Sequence, residues 1–483
     1  MPVSVVLGAA LAVSAPAMAP ASQPMAMAPT ADFAPCADAG TFAELSGSLC
    51  LVHRAPLRAP GPAVGKAADS VDLFIRKFPA AGRSRGSVWL VAGGPGESGA
   101  SFYPFLATLR ASFPGFDLIV PDHRGTGYST RLCPAEEAVG SAGGAGLEGA
   151  EWGSCWGGLN AAPDYARAFS ITNAAHDLAE MIAAHRRPGP TYVYGVSYGT
   201  QLVLRTLEVG RPSVEGVILD SLVPPEATER WDLSRRSEVA NAVGLELLRR
   251  CDAEPACRQR PGGSAQDGLR RLEASADERL LSQIPGKNLR QFFGGLLDDP
   301  AARARIPDLI GQFSRGDTSG LVALNAEAER QAVRFGRYPQ APASVPLVSI
   351  ISVSENDARP DLTKQQVASE QGALLFASPL PGYLVDPGLP LYARDEHFGR
   401  LPTRLPKTLV LQGTLDPKTP FDGASAQVEQ LKLAGKVSLT PVADAPHFIL
   451  MTAPGCFEET VRRFVAGGRK NAACLAKVTA ATP

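Results

Sequence analysis

The segment Thr191-Tyr192-Val193-Tyr194-Gly195-Val196-Ser197-Tyr198-Gly199 runs from a β-branched and aromatic stretch, through Gly-x-Ser-x-Gly, into a helical pattern. A serine on a tight strand-to-helix turn is presented as a nucleophile, and glycines two residues to either side let the strand and helix backbones pass closely. Ser197 is therefore the candidate nucleophile. A second match, Gly82-Arg83-Ser84-Arg85-Gly86, lies in a basic turn between two strand-like runs with no helix after it, so Ser84 is set aside. An activated serine needs a base and an acid that orients the base, following it in the order Ser, Asp or Glu, His. Only His397 and His447 lie far enough downstream. Asp416 follows an apolar run and a Gly413 turn, which places it at the carboxyl edge of a sheet, where open α/β folds carry their sites. His397 precedes this acid and His447 follows it, giving Ser197, Asp416 and His447, with Asp220 and Asp444 as rival acids. Acyl transfer also needs backbone N–H donors for an oxyanion. The residue after the nucleophile, Tyr198, supplies one, and Gly94 in Ala92-Gly93-Gly94-Pro95-Gly96 is favoured for the other.

These residues need a scaffold. Strand-like runs at 71–78, 87–91, 116–120, 191–194, 214–219, 407–411 and 437–442 are short, β-branched and nearly all apolar, the pattern of strands buried on both faces of a parallel sheet. Helical patterns at 172–185 and 198–209 separate several of them, and Ala175, Leu178, Ala179 and Ile182 form one stripe. The prediction is an α/β fold, a mostly parallel sheet flanked by helices. Between residues 226 and 400 the pattern turns helical, with helices expected over 226–250, 266–282 and 321–335. This reads as an inserted cap, dividing a catalytic unit into 31–225 and 401–483. The stretch 134–158, rich in Gly, Ala and Glu, is expected to be a surface loop tied by Cys133 and Cys155.

Composition narrows the function. With 47 basic against 48 acidic side chains the formal net charge is -1, which leaves no surplus for nucleic-acid binding. Residues 3–13 are apolar and run into Ala, Pro, Met and Ser up to residue 30, which reads as a signal peptide too short to span a bilayer, and no later run is long enough to do so. The 8 cysteines fall into near neighbours, Cys36/Cys50, Cys133/Cys155, Cys251/Cys257 and Cys456/Cys474. Nearest-neighbour pairing is one of 105 connectivities, and with the leader it points to a secreted or periplasmic protein. No C-x-x-C pair and no G-x-x-x-x-G-K-[ST] loop occurs, so neither a metal nor a cofactor is expected. His53, His176 and His185 read as structural or surface histidines, and His123 and Arg124 as backbone-bonding residues near the site.

Taken in order, Gly93-Gly-Pro-Gly96, Pro121-Asp-His-Arg-Gly-Thr-Gly127, Gly195-Val-Ser-Tyr-Gly199, Val217-Ile-Leu-Asp-Ser221 and Asp416-Pro-Lys-Thr-Pro420 resemble the proline iminopeptidase and tripeptidyl aminopeptidase family of α/β-hydrolases, over residues 36–475. Ala92 stands where the iminopeptidase branch usually has His, which favours the tripeptidyl branch. The resemblance implies a serine exopeptidase whose partner is a peptide with a free amino terminus, with a carboxylesterase on the same triad as the alternative. A non-catalytic binding relative is the other class considered. The Cys456/Cys474 pair looks like a disulfide of the tripeptidyl branch. The segment Ile351-Ser-Val-Ser-Glu355-Asn-Asp357, ending the apolar run 345–353, resembles the family's cap strand carrying a Glu for the substrate's amino terminus, although Val353 replaces a frequent Cys. Glu355 is the candidate for that role. Oligomeric state is not legible in the residues.

Overall fold

The computed structural model describes residues 32–59, 70–258, 263–468 and 474–475. The expected leader, residues 1–30, lies outside them.

Apolar strands need cover on both faces, and the chain provides it. The strands are β1 (Ala34–Pro35), β2 (Leu49–Pro56), β3 (Ser70–Phe78), β4 (Ser87–Val91), β5 (Asp117–Pro121), β6 (Thr191–Val196), β7 (Gly216–Asp220), β8 (Lys407–Gly413), β9 (Val437–Ala443) and β10 (Cys474–Leu475). They form one sheet in the order β1-β2-β3-β5-β4-β6-β7-β8-β9-β10. The β1, β2 and β3 pairings and β3 with β5 are antiparallel, and every pairing from β5 to β10 is parallel. Alternate side chains leave the sheet on opposite sides. Trp89 and Val91 join a core with Leu178, Leu202 and Val203, under the Ile171–Ala184 and Tyr198–Val209 helices. Val88 and Leu90 join a second core with Leu109, Phe457 and Val461, under the Leu106–Ser112 and Pro454–Val465 helices. The predicted stripe of Ala175, Leu178, Ala179 and Ile182 is buried, and Ser170 caps its helix by accepting the Asn173 N–H.

Between β7 and β8 the described residues contain no strand. Several helices there share their own apolar cluster, including Leu248, Leu269, Phe293, Ile310, Phe313 and Phe376. The details differ from the sequence expectations. The helix expected over 226–250 is Arg236–Ala253, because Glu226 is engaged with Arg205 and Asp232 caps a separate Leu233–Arg235 turn. The 266–282 helix is broken where Asp277 caps a new turn, giving Ala265–Ser275 and Glu278–Leu281. In the expected loop 134–158, the Glu151–Ala161 helix starts despite its glycines, since burial of Cys155 and Leu159 outweighs weak local propensity. The segment likened to a strand is the helix Val345–Glu355, started by Pro346 in its first turn. It reads as apolar all round because Leu347, Ile350 and Ile351 pack into the sheet's core while Val345 and Val348 face a cavity.

All four near-neighbour cysteine pairs are disulfides, Cys36–Cys50, Cys133–Cys155, Cys251–Cys257 and Cys456–Cys474. Among the described residues no helix is long and apolar enough to cross a membrane.

Candidate active site

β6 ends at Val196 and the next helix begins at Tyr198, leaving Ser197 alone in the turn at φ 56°, ψ −127°. A non-glycine residue at positive φ is strained and persists only where its surroundings hold it. The hold here is a hydrogen bond from the Ser197 N–H to the Asp220 carbonyl at the end of β7, 3.0 Å. The flanking glycines are required by space. A Cβ on Gly199 would sit 2.5 Å from the Val91 carbonyl oxygen, and one on Gly195 would sit 2.5 Å from that of Gly199. Tyr198 opens a helix, so its N–H has no intrahelical acceptor. Gly94, at φ +114°, lines the same cavity of about 70 Å³ as Ser197 and Tyr198. Ser84 has no such setting, since its hydroxyl donates to the Gly86 carbonyl at 2.8 Å.

Past the β8 end, Asp416 accepts the backbone N–H groups of Lys418 and Thr419 on Oδ1, both at 2.8 Å. Its Oδ2 lies 2.8 Å from His447 Nδ1 and accepts Thr419 Oγ1 and Gln412 Nε2. Burial by itself raises this carboxyl, but the His447 charge and the hydrogen bonds outweigh it and hold Asp416 below its ordinary value. With Nδ1 bound to the acid, the buried His447 Nε2 has no partner among the described residues and is the nitrogen open to a serine proton. Thr419 ties this pair to the Ser197 turn, since its Oγ1 lies 3.3 Å from His447 Nδ1 and it lines the Ser197 cavity.

The rival acids are occupied elsewhere. Asp220 receives the Ile449 and Leu450 N–H groups, the Tyr194 hydroxyl and the Ser221 hydroxyl. Asp444 pairs with Arg250 at the surface. His397 is held by Glu208 at 2.7 Å.

Glu355 faces the Ser197 cavity from the end of its helix. Among the described residues its only cationic partner within ion-pair distance is Arg205, 3.6 Å away, which also meets Glu226 at 3.0 Å and Asp395 at 3.8 Å. Burial pushes Glu355 up to about 7, with Arg205 opposing the shift and Glu226 and Asp395 adding to it. One Glu355 oxygen has no hydrogen-bond partner among the described residues. Sequence reading missed Arg205, Glu226 and Asp395, which meet only through the fold. Glu97 was missed too. It is buried with neither carboxyl oxygen partnered among the described residues, and burial pushes it up to about 7 against the opposing Lys418 charge.

His123 Nδ1–H donates to the Arg124 carbonyl at 3.1 Å, and burial lowers the imidazole to about 4. Arg124 is buried against Asp177 and three backbone carbonyls. His53 and His185, far apart in sequence, sit 3.3 Å from each other.

A model described as alpha/beta hydrolase fold matches residues 86–454. No curated protein matches the chain. Among solved structures, a thermophilic esterase from Thermogutta terrifontis is similar at 15% identity and TM-score 0.40, covering 86% of this chain and 98% of that one. An esterase from Exiguobacterium antarcticum is similar at 15% identity and TM-score 0.38, covering 82% and 96%. A laboratory-evolved potato epoxide hydrolase is similar at 13% identity and TM-score 0.36, covering 86% and 99%.

Proposed function

The chain belongs to the alpha/beta hydrolase fold family, and on that premise we propose that it is an exported serine aminopeptidase, of tripeptidyl or prolyl type, releasing short amino-terminal units from peptides through an acyl-enzyme. The observation that carries this reading is the charge around Glu355. Three carboxylates, Glu226, Glu355 and Asp395, share one guanidinium, Arg205, beside the cavity that holds Ser197. A substrate ammonium supplies the missing positive charge, and pairing with this acidic cluster anchors the amino terminus of the peptide. Two other cations lining the cavity are committed elsewhere. Arg394 donates to the carbonyls of Ser354, Glu355 and Asp357, and Lys418 pairs with Asp298 at 2.9 Å. Arg236 also faces the cavity, and its buried Nε, unpartnered among the described residues, is a donor for a substrate carbonyl.

The chemistry follows from the site. His447 Nε2 takes the Ser197 hydroxyl proton as Oγ attacks the scissile carbonyl carbon, and Asp416 steadies the imidazolium through Nδ1. The N–H groups of Gly94 and Tyr198 bind the oxyanion. The carbon–nitrogen bond breaks as His447 returns the proton to the leaving amine, and a water, deprotonated by the same nitrogen, releases the acyl unit. Residues 226–400 act as the cap that shapes the cavity, with residues 31–225 and 401–483 as the catalytic unit. Export is supported by the leader-like residues 1–30 and by the disulfides.

A panel of Ala-Ala-Pro-, Pro- and simple acyl ester reporters tests this, alongside fluorophosphonate labelling of the wild type and Ser197→Ala. Turnover of free-amine peptide reporters with labelling confined to Ser197 is expected. Ester turnover alone would make the protein a carboxylesterase, and no labelling would remove it from the serine hydrolases.

A further inference from the structure

A second cavity, about 510 Å³ and mostly apolar, shares the segment 94–97 with the Ser197 cavity. Its walls include Trp152, Trp156, Phe335, Val348, Phe448 and Met451. Trp152 and Tyr383 are partly exposed at its rim, and Trp152 packs against Trp156.

Its position relative to the candidate site is set by two chain segments. Along 94–97, Gly94 and Pro95 face the Ser197 cavity and Glu97 faces the apolar one. On the Val345–Glu355 helix, Val345, Val348, Ser349 and Ser352 form one face toward the apolar cavity, while Glu355 at its end reaches the acidic one. Phe448 adjoins His447 in the chain and lines the apolar cavity only. A general acid has to lie within hydrogen-bond reach of the group it protonates, so the leaving group sits beside His447. With the amino-terminal end held at Glu355, the reading this step rests on, the apolar cavity is on the side of the departing chain. Glu97, with both carboxyl oxygens unpartnered among the described residues, faces into it and is placed to accept an N–H there.

We propose that this cavity is the subsite for the first residue of the departing peptide, that it takes a large apolar or aromatic side chain, and that Glu97 accepts a backbone N–H of that peptide. The enzyme then selects substrates on both sides of the cleaved bond, by charge on one and by apolar volume on the other.

Acyl transfer to added amines reads this subsite apart from acylation. The acyl-enzyme is formed from an activated ester of a free-amine acyl unit and partitioned between water and glycinamide, leucinamide or phenylalaninamide. In the transfer the amine nitrogen bonds to the acyl carbon as the carbon–Oγ bond breaks, and His447 passes the amine proton to Ser197 Oγ. Burying one large apolar side chain predicts capture of phenylalaninamide over glycinamide by at least about tenfold. Ser349→Trp, which fills the cavity from the helix face, should bring the two within about twofold. Phe335→Ala, which removes apolar wall, should reduce the preference without abolishing acylation. Equal capture of all three amides by the wild type, or a preference untouched in Ser349→Trp, would overturn the proposal. Repeating the partitioning with an N-acetylated acyl donor separates the two readings, because equal use of both donors contradicts the aminopeptidase while the amide preference still reports the cavity.

Discussion

Phe448 donates its backbone N–H to the Ser221 hydroxyl at 2.8 Å, and both residues sit at positive φ, +66° and +57°. Ser221 in turn donates to Asp220, whose carbonyl receives the Ser197 N–H. Three strained residues, Ser197, Ser221 and Phe448, are thus linked through the end of β7, and the linkage fixes the segment after His447 relative to Ser197. Ser221→Ala leaves the buried Phe448 N–H without its acceptor, at about 1–3 kcal/mol of stability. Chemical denaturation should show that loss, and kcat should fall more than KM changes, because the position of His447 is disturbed and the substrate cavity is not.

Ser197→Ala and His447→Ala should each reduce turnover by on the order of 10⁶-fold, since the groups act as a unit, and Asp416→Asn by roughly 10⁴-fold. Retention of a tenth of wild-type activity in Ser197→Ala would remove it as nucleophile. Steady-state kinetics on purified variants measures this.

Gly199→Ala would bring a Cβ to 2.5 Å from the Val91 carbonyl oxygen and 2.6 Å from that of Ala92. Backbone on both sides of the contact cannot swing away, so the variant should lose about 1–3 kcal/mol and much of its activity. Thermal unfolding alongside an assay checks both losses.

The Cys456–Cys474 bridge spans a sequence separation of 18 and joins the Pro454–Val465 helix to β10, which pairs with β9. Replacing both cysteines by serine should cost about 3 kcal/mol, the value for a loop of this size. Unchanged thermal stability would contradict a structural role.

Glu355 gives a pH prediction. Its folded-state value of about 7 exceeds the ordinary 4.5, so folding takes up a proton and this group's contribution to stability declines as pH rises from 4.5 through about 7. The charge proposed to bind the ammonium appears in the folded protein as pH rises through about 7. The groups facing it are Arg205, Glu226, Asp395, Tyr198, Tyr392 and Arg394. The ratio of kcat/KM for a free-amine peptide to that for its N-acetylated twin should rise with pH through about 7 and fall again as the substrate amine deprotonates near ~8. Titrations common to both substrates cancel in the ratio, and Glu355→Gln should flatten the acid limb.

The parts legible in the sequence are those written locally. The Gly195 to Gly199 turn, the Gly94 loop and the order of Ser197, Asp416 and His447 are short motifs attached to strand ends, and the apolar strands announce a sheet covered on both faces. What was not legible depends on distant segments meeting. Arg205 lies on one helix, Glu226 in a loop and Asp395 far downstream, and no periodicity joins them. The segment 351–357 resembles a cap strand only through its family motif, and burial on two sides of 345–355 erases the helical polarity pattern that would correct this, leaving Pro346 as the one hint of a helix start. Glu97, adjoining a glycine turn, carried no signal that it would be buried without a partner.

Whether Ser197 cleaves peptides whose free amino terminus is held at Glu355 is decided by kcat/KM for matched free-amine and N-acetylated peptides on the wild type and Glu355→Gln. The wild type should strongly prefer the free amine, and the variant should lose about 2–4 kcal/mol on that substrate alone. Equal losses on both substrates would make Glu355 structural, and efficient wild-type cleavage of the N-acetylated peptide would contradict the aminopeptidase itself.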